Sequence, residues 1–452
     1  MDNISQFLSD IFYLVSINSI DDLPRLLAYI IPFILIWTIY RKIKRNLYTK
    51  SATKLKAVQE SGVEPASLHP IIDYNKCLGC ATCVTACPEG EILGVVNDKA
   101  FLVNPSKCIG HGACKAACPA DAITLVFGTT KRGVDIPVVK PNFETNLAGV
   151  FIAGELGGMG LIKNAIAQGR QAMESIQKKP GMGKGSALDV VIIGAGPAGF
   201  CASLYALENK MRFITIEQDT LGGTVSNFPR GKVVMTAPTT LPIYGKVDFT
   251  LTTKETIMDL WEKVAKKTGV KINYKERYET LTQTKDGFII ETNKHKYLTR
   301  NVLLAIGRRG TPRKLGAPGE NQNKVIYSLS DPAEFVGKHV LVVGGGNSAL
   351  EAAYSISNET GSTVTISYRS KTFSRAAEKN QNEIKEAEAA GRMNVLMETT
   401  VNEIKENSVL INQGDDVIEI PNDAVIVCAG GILPTPMLKK VGIEVETKFG
   451  AP

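Results

Sequence analysis

The apolar pattern changes character several times along the chain. Leu26 to Tyr40 (LLAYIIPFILIWTIY) is free of charge, and Arg41, Lys42, Lys44 and Arg45 follow at once. This predicts an N-terminal transmembrane helix at about 23–40 within an anchor of residues 1–45. Its uncharged core is slightly short of the roughly 17–25 residues of a spanning helix, and Leu23 and the stem of Arg25 extend it. Trp37 and Tyr40 suit the interface, and Pro32 is tolerated in a membrane helix. An interfacial or buried amphipathic helix is the alternative. Asp2, Asp10, Asp21 and Asp22 precede the run, which fits a cleaved signal peptide poorly. The lysine and arginine bias predicts a single pass through the cytoplasmic membrane, with the bulk of the chain in the cytoplasm. Residues 46–68 read as a linker, and a cysteine-rich stretch follows. Beyond it, a short apolar strand runs into a glycine loop and a helix twice, at Asp189–Gly199 (DVVIIGAGPAG) and Val340–Glu351 (VLVVGGGNSALE). The pattern is that of an α/β protein with two three-layer, Rossmann-like nucleotide-binding domains.

Length and composition narrow this picture. The 452 residues allow two to four domains, and 44% apolar with 21% charged residues is ordinary for a packed protein. The net charge of +7 owes part of its value to the cluster after the apolar run, and no nucleic-acid patch is expected. Of nine cysteines, seven fall between Cys77 and Cys118, while Cys201 and Cys428 stand alone. That placement indicates cofactor ligands in a reducing compartment rather than a disulfide scaffold. With four histidines in all, chemistry built on several imidazoles is unexpected.

Residues 77–88 (CLGCATCVTACP) spell C-x2-C-x2-C-x3-C-P. A cubane cluster takes four thiolates, three of them from one tight loop, and the cysteine before the proline reaches the other cluster. A zinc site would want two separated pairs. Residues 108–119 (CIGHGACKAACP) repeat the run with His111 in place of the second cysteine. Residues 69–126 resemble bacterial two-cluster ferredoxins, small α+β domains. The resemblance implies that Cys77, Cys80, Cys83 and Cys118 hold one [4Fe-4S] cluster, and that Cys87, Cys108 and Cys114 hold the second. His111 leaves two outcomes for the second cluster: a [3Fe-4S] centre with three thiolates, or a [4Fe-4S] centre with an imidazole ligand. A non-ligating, hydrogen-bonding role for His111 stays open beside these.

In the first glycine loop, Gly194, Gly196, Pro197, Ala198 and Gly199 lead from strand to helix, and Glu217 closes the next strand. Glycine serves the tight turn, the approach of a pyrophosphate and helix–strand packing, and the acid takes the ribose hydroxyls. The second loop has Gly344, Gly346, Asn347, Ser348 and Ala349, and its next strand ends without an acid. Arg369, Lys371 and Arg375 stand there instead, which favours the 2′-phosphate of NADP(H) over NAD(H). From about residue 188 to 445 the chain resembles thioredoxin-reductase-like flavoproteins of the pyridine nucleotide–disulfide oxidoreductase superfamily. The first loop with Glu217 matches their FAD fingerprint, Leu221-Gly222-Gly223-Thr224 their flavin-side loop, and Leu304 to Gly310, with Gly307, their domain-crossing strand. The resemblance implies an FAD domain at 188–325, an NAD(P) domain at 326–428, and a return to the FAD domain at 429–452.

Two departures from the family follow. The stretches TVSNFPRG and VIYSLSDPAEFVGK hold no redox cysteine pair, so the nearer likeness is to dithiol-free ferredoxin–NADP reductases of thioredoxin-reductase type. The family's closing strand, Gly-Asp pair and last helix are also missing after residue 445. Residues 144–178 resemble that piece, with Gly154-Glu155 in place of Gly-Asp. A circular permutation is expected, with 135–178 closing the FAD domain ahead of its start. The linker 179–187 spans at most ~30 Å. Completion of a neighbouring chain, or a truncated chain, is the alternative.

The expected function is a membrane-anchored oxidoreductase moving electrons between NAD(P)H, FAD and two iron–sulfur clusters, with a soluble or membrane electron carrier as partner. A flavin-dependent reductase of a small molecule fed through the clusters, or a redox-sensing module, are the alternatives. The protein's share is positioning and tuning, and no acid–base pair is singled out as catalytic. The family resemblance implies a possible homodimer.

Overall fold

The computed structural model describes residues 23–61, 64–65, 68–108, 110–130, 133–158, 160–235, 238–248, 251–374 and 376–450, with the side chains of 23–29, 61, 235 and 251 left aside. The chain divides into two compact units: Met1–Ser61 with Ile72–Asn104 and Ala113–Thr124, and the remainder, which is mostly Leu125–Pro452.

The first unit is built on one long helix, α1 (Leu23–Ser61), with Pro32 inside it. Residues 46–61, expected as linker, continue this helix. No glycine or proline interrupts 41–61, and good helix formers fill the stretch. Its C-terminal half also has a partner, the hairpin of β1 (Leu93–Val96) and β2 (Lys99–Leu102). Gly94 leaves room for this contact, since a Cβ there would lie 2.6 Å from the Ser51 hydroxyl. In the N-terminal half, Ile31, Phe33, Ile34, Leu35, Ile36 and Tyr40 are exposed among the described residues. Among the described residues no helix is long and apolar enough to cross a membrane, so the expected span is not supported. Its side chains before Ile30 lie outside the described ones.

The second unit holds both nucleotide-binding lobes. In the first lobe, β3 (Val150–Ile152) precedes α2 (Ile162–Gln177), β4 (Leu188–Ile193), α3 (Pro197–Glu208) and the strand Phe213–Ile216. The long strand β5 (Lys296–Leu304) ties them together. It pairs in parallel with β4 (Thr299↔Leu188 to Leu304↔Ile193) and with β3 (Val302↔Val150 to Leu304↔Ile152). Residues 150–152 thus complete the sheet of their own chain. Helix α2 lies on α3, and Gly169 is required there because a Cβ would stand 2.1 Å from the Ala198 carbonyl oxygen. Ala172, Met173 and Ile176 of α2 are fully buried in the core with Val190, Ile192 and Leu303. Residues after 429 return to this lobe: Leu438 and Ile443 share a core with Val150, Ile152 and Val191, and Val445–Lys448 pairs antiparallel with Val134–Pro137.

The second lobe is a five-stranded parallel sheet centred on β6 (His339–Val343), flanked by Thr363–Tyr368 and Ala424–Val427. Helix α4 (Asn347–Ser357) follows β6 and buries Ala349, Leu350 and Ala353 against it. The central strand (VLVV after His339) and Ala424–Val427 (AVIV) are the continuous apolar runs that a covered parallel sheet uses.

Candidate functional site

The cysteine loop of the first unit turns sharply because Gly79 and Ala81 both adopt left-handed backbone (φ +67° and +64°). Cys77, Cys80 and Cys83 then line one small cavity, and Cys118 lines it from the other cysteine run, beside Pro119 and Ala122. Three donors point at these sulfurs. The Thr82 hydroxyl reaches Cys80 Sγ at 3.2 Å, the Ala100 amide reaches Cys77 Sγ at 3.4 Å, and the Ala122 amide reaches Cys118 Sγ at 3.3 Å. Donors aimed at sulfur suit thiolates. The bond from Thr82 holds Cys80 below the ordinary thiol value, while burial pushes Cys83 up to about 11. A bound metal centre reverses such a penalty and deprotonates its thiols. Among the described residues no three His, Cys, Asp or Glu side chains converge on a single-ion site. The four thiols line one small cavity, and four thiolates are the ligand set that a cubane cluster takes.

The second ligand set is divided. Cys87 and Cys114 belong to the first unit, and Cys108 and His111 to the second. Burial raises the Cys114 thiol, and the charges of Cys87 and Cys118 add to the effect. Cys108 Sγ lies 3.8 Å from the Leu68 carbonyl oxygen.

In the first nucleotide lobe, each glycine of the loop meets a different demand. Gly194 has φ +104°, and a Cβ there would stand 2.6 Å from the Ala305 carbonyl oxygen. Gly199 is tighter still, at 1.8 Å from the Gly194 carbonyl oxygen. Gly196 is open, with nothing nearer than the Gly222 carbonyl oxygen at 3.9 Å. Two closed positions around one open one fit a pyrophosphate approaching the backbone at the N-terminus of α3, where Pro197 opens the helix and Ala198 is buried. Glu217 is buried, and its carboxylate accepts the Ala195 amide (2.7 Å) and the Asp219 amide (2.9 Å). Those bonds fix it beside the loop and leave lone pairs for ribose hydroxyls. Gly222 and Gly223 bring the next loop against the first, a Gly223 Cβ lying 3.2 Å from Gly196 Cα, and Thr224 stands across from Gly307. The residues present fit FAD.

Gly154 sits against the same helix, where a Cβ would be 3.0 Å from Ala198 Cβ, and its amide donates to Gln168 Oε1 at 2.8 Å. Burial raises the carboxyl of the next residue, Glu155, and the charges of Arg308 and Arg309 oppose that rise. Gln168, Arg308 and Arg309 were not assigned from sequence. The adjacent cations after Gly307 were the available signal for the two arginines.

The second loop repeats the design. Gly344 has φ +141° and would crowd the Cys428 carbonyl oxygen at 2.5 Å, Gly346 has nothing within 4 Å, and Ala349 is fully buried. Asn347 is otherwise engaged: its Oδ1 accepts the Ala377 amide at 2.6 Å and the Asn380 side chain at 3.1 Å. Ser348 is exposed. Arg369 and Lys371 are exposed beyond the strand Thr363–Tyr368, with Lys371 3.7 Å from Glu398. Arg375 lies outside the described residues. Two ion pairs cross between the lobes, Lys232–Glu351 at 2.7 Å and Arg230–Asp331 at 3.2 Å. Arg369→Ala is expected to raise KM for NADPH about tenfold and leave KM for NADH unchanged, the loss of one charge-assisted contact. Steady-state kinetics with both nucleotides check this, and equal effects on the two would mean that Arg369 serves no 2′-phosphate.

Residues 191–451 match the family described as pyridine nucleotide-disulphide oxidoreductase, and residues 69–119 match the 4Fe-4S dicluster domain. Among similar proteins is a ferredoxin–NADP reductase of Thermus thermophilus, 32% identical over 270 residues, covering 57% of this chain and 77% of that protein. Another is the bacilliredoxin reductase Bdr of Bacillus subtilis, 27% identical over 271 residues, covering 58% and 82% respectively. A solved structure of the bacillithiol disulfide reductase Bdr from Staphylococcus aureus aligns with a TM-score of 0.49 at 23% identity, over 57% of this chain and 81% of that one. The family match spans more than half of the residues, and the chain belongs to the pyridine nucleotide-disulphide oxidoreductases, as an NAD(P)H-dependent flavin oxidoreductase that carries a 4Fe-4S dicluster domain.

Proposed function

We propose that the chain moves electrons from NADPH through FAD into two iron–sulfur clusters, and from these to a ferredoxin-like or membrane-bound carrier. When bound, a flavin accepts a hydride from the nucleotide and releases the electrons singly, which suits one-electron cluster acceptors. The chain's own residues do the positioning. The open glycines Gly196 and Gly346 admit the two pyrophosphates, Glu217 holds a ribose, and Arg369 and Lys371 attract a 2′-phosphate. Cys77, Cys80, Cys83 and Cys118 take the first cluster, and Cys87, Cys108 and Cys114 the second, where His111 replaces the second cysteine of its run. The observation that carries this reading is the four-thiol cavity in a chain that lacks a flavin-side dithiol. Cys201 is buried alone in α3 and Cys428 follows Ala424–Val427, so neither has a cysteine partner in its element. The thiol-lined sites are then the on-chain outlet for electrons.

Anaerobic titration with NADPH and, separately, NADH tests this. Flavin bleaching by NADPH, followed by reduced-cluster signals in electron paramagnetic resonance, is the expected result. The same spectra distinguish a three-iron from a four-iron second centre. Flavin bleaching with the clusters left oxidised would overturn the proposed route.

The exposed apolar half of α1 and the cations Arg41, Lys42, Lys44 and Arg45 support docking to the cytoplasmic face of the cell membrane. The full chain is expected to float with vesicles of anionic lipid, and the change of those four cations to glutamine should release most of it. Equal flotation of both proteins would remove the basic cluster from this role.

A further inference from the structure

The C-terminal half of α1 grips the β1–β2 hairpin at three places. The Tyr48 hydroxyl donates to Asp98 Oδ1 at 2.5 Å. Lys50 and Lys54 both reach the Glu91 carboxylate, each at 2.5 Å. Ser51 fills the space left over Gly94. Asn97 and Asp98 form the two-residue turn, both in left-handed backbone (φ +49° and +55°), the conformation that closes a tight hairpin. The same turn also touches the first cysteine loop. A Cβ on Gly79 would lie 2.2 Å from the Asp98 carbonyl oxygen, so no side chain separates loop from turn. Lys99 Nζ donates to the Cys77 carbonyl oxygen at 2.8 Å, and the Ala100 amide donates to Cys77 Sγ at 3.4 Å. Asp98 is therefore held by the helix through its side chain and meets the cluster loop through its backbone.

We propose that α1 is a positioning element for the first cluster, holding the hairpin so that the Ala100 amide stays bonded to the Cys77 thiolate. A hydrogen bond to a ligating sulfur withdraws negative charge from it and favours the reduced cluster, so it raises the reduction potential. Tyr48, Lys50 and Lys54 act through Asp98 and Glu91 on this one bond. They touch neither sulfur nor iron, and the helix that docks the chain also sets the potential at which the first cluster accepts an electron. The inference rests on the cluster reading above.

Tyr48→Phe keeps the ring and removes only the hydroxyl, and the double change Lys50→Met with Lys54→Met removes the clamp on Glu91. In the full-length, cluster-loaded protein both are expected to move the first cluster to a lower potential in a titration followed by electron paramagnetic resonance. Hydrogen exchange at the Ala100 amide should quicken roughly tenfold, and Lys50→Arg with Lys54→Arg should restore both readouts. If the lysine variant loses its cluster on purification, Tyr48→Phe decides alone. An unchanged potential overturns the proposal, whether or not the amide exchanges faster. A wild-type protein without a first cluster would sink the cluster reading itself, whereas an unchanged potential in a loaded variant sinks only the role of α1.

Discussion

Gly196→Ala is expected to fold normally and lose its flavin, whereas Gly199→Ala is expected to lose stability as well. The two positions lie three residues apart in one loop, and their surroundings are opposite. A Cβ at Gly199 would stand 1.8 Å from the Gly194 carbonyl oxygen and 2.9 Å from its carbon. Both atoms are backbone of the tight turn, so strand and helix must separate. Overpacking of this kind costs roughly 3 kcal/mol, near 6–12 °C in melting temperature for a lobe of this size. Gly196 has ordinary backbone (φ −70°) and serves as the N-cap of α3, so alanine strains nothing there. Its Cβ would enter only the space in which a pyrophosphate approaches. The stability of the flavin-stripped Gly196→Ala protein should stay within about 0.5 kcal/mol of the parent. Flavin retention should fall by roughly 100-fold in affinity, about 2.7 kcal/mol. Visible absorbance per protein and thermal unfolding of the stripped forms measure the two effects. Full flavin in Gly196→Ala would show that this loop is not the pyrophosphate cradle.

That contrast also explains how much of the molecule was legible in its sequence. The glycine loops were, because Gly194, Gly199 and Gly344 meet backbone demands that a side chain would break, while Gly196 and Gly346 keep the space between them open. Residues 144–178 resemble the end of a flavin lobe through their strand, Gly154-Glu155 and amphipathic helix, although they stand ahead of the first loop. Val150–Ile152 pairs in parallel with Val302–Leu304 of the same chain. The helix over 46–61 was not legible. Its apolar stripe is thin, little more than Tyr48, Leu55 and Val58, and its partners Glu91, Gly94 and Asp98 lie roughly forty to fifty residues onward. Tertiary contacts of that kind override local pattern. At Asn347, which opens α4, the side-chain Oδ1 accepts from the Ala377 amide and the Asn380 side chain, contacts that no local pattern announces. The apolar run at 26–40 reads as a span from hydropathy alone. Arg41, Lys42, Lys44 and Arg45 follow it at once and bound the uncharged run at Tyr40.

Cys118→Ala is expected to remove the first cluster while leaving the run from Cys77 to Cys83 intact. Three thiols of that cavity come from one loop, and the fourth arrives from the second run, thirty-five residues after Cys83. Without it a four-iron cluster has one iron without a protein ligand, and the Ala122 amide at 3.3 Å loses its acceptor. Iron should fall by about four atoms per chain if the cluster is lost, or by about one if a three-iron remnant survives. The cradle of Gly194, Gly196, Gly199 and Glu217 lies in the other unit, so flavin content should not change. NADPH should still bleach the flavin, and electron delivery to an external one-electron acceptor should drop at least tenfold. Cys201→Ala is the control: that thiol is fully buried in α3, where burial pushes it up to about 12, and it does not line the four-thiol cavity. It should keep its iron and its turnover. Measuring iron, flavin and acceptor reduction on the two variants separates the outlet from the flavin. If Cys118→Ala keeps a full complement of iron and full turnover, the first cluster is not held across the two cysteine runs, and the electron route assigned to this cavity fails with it.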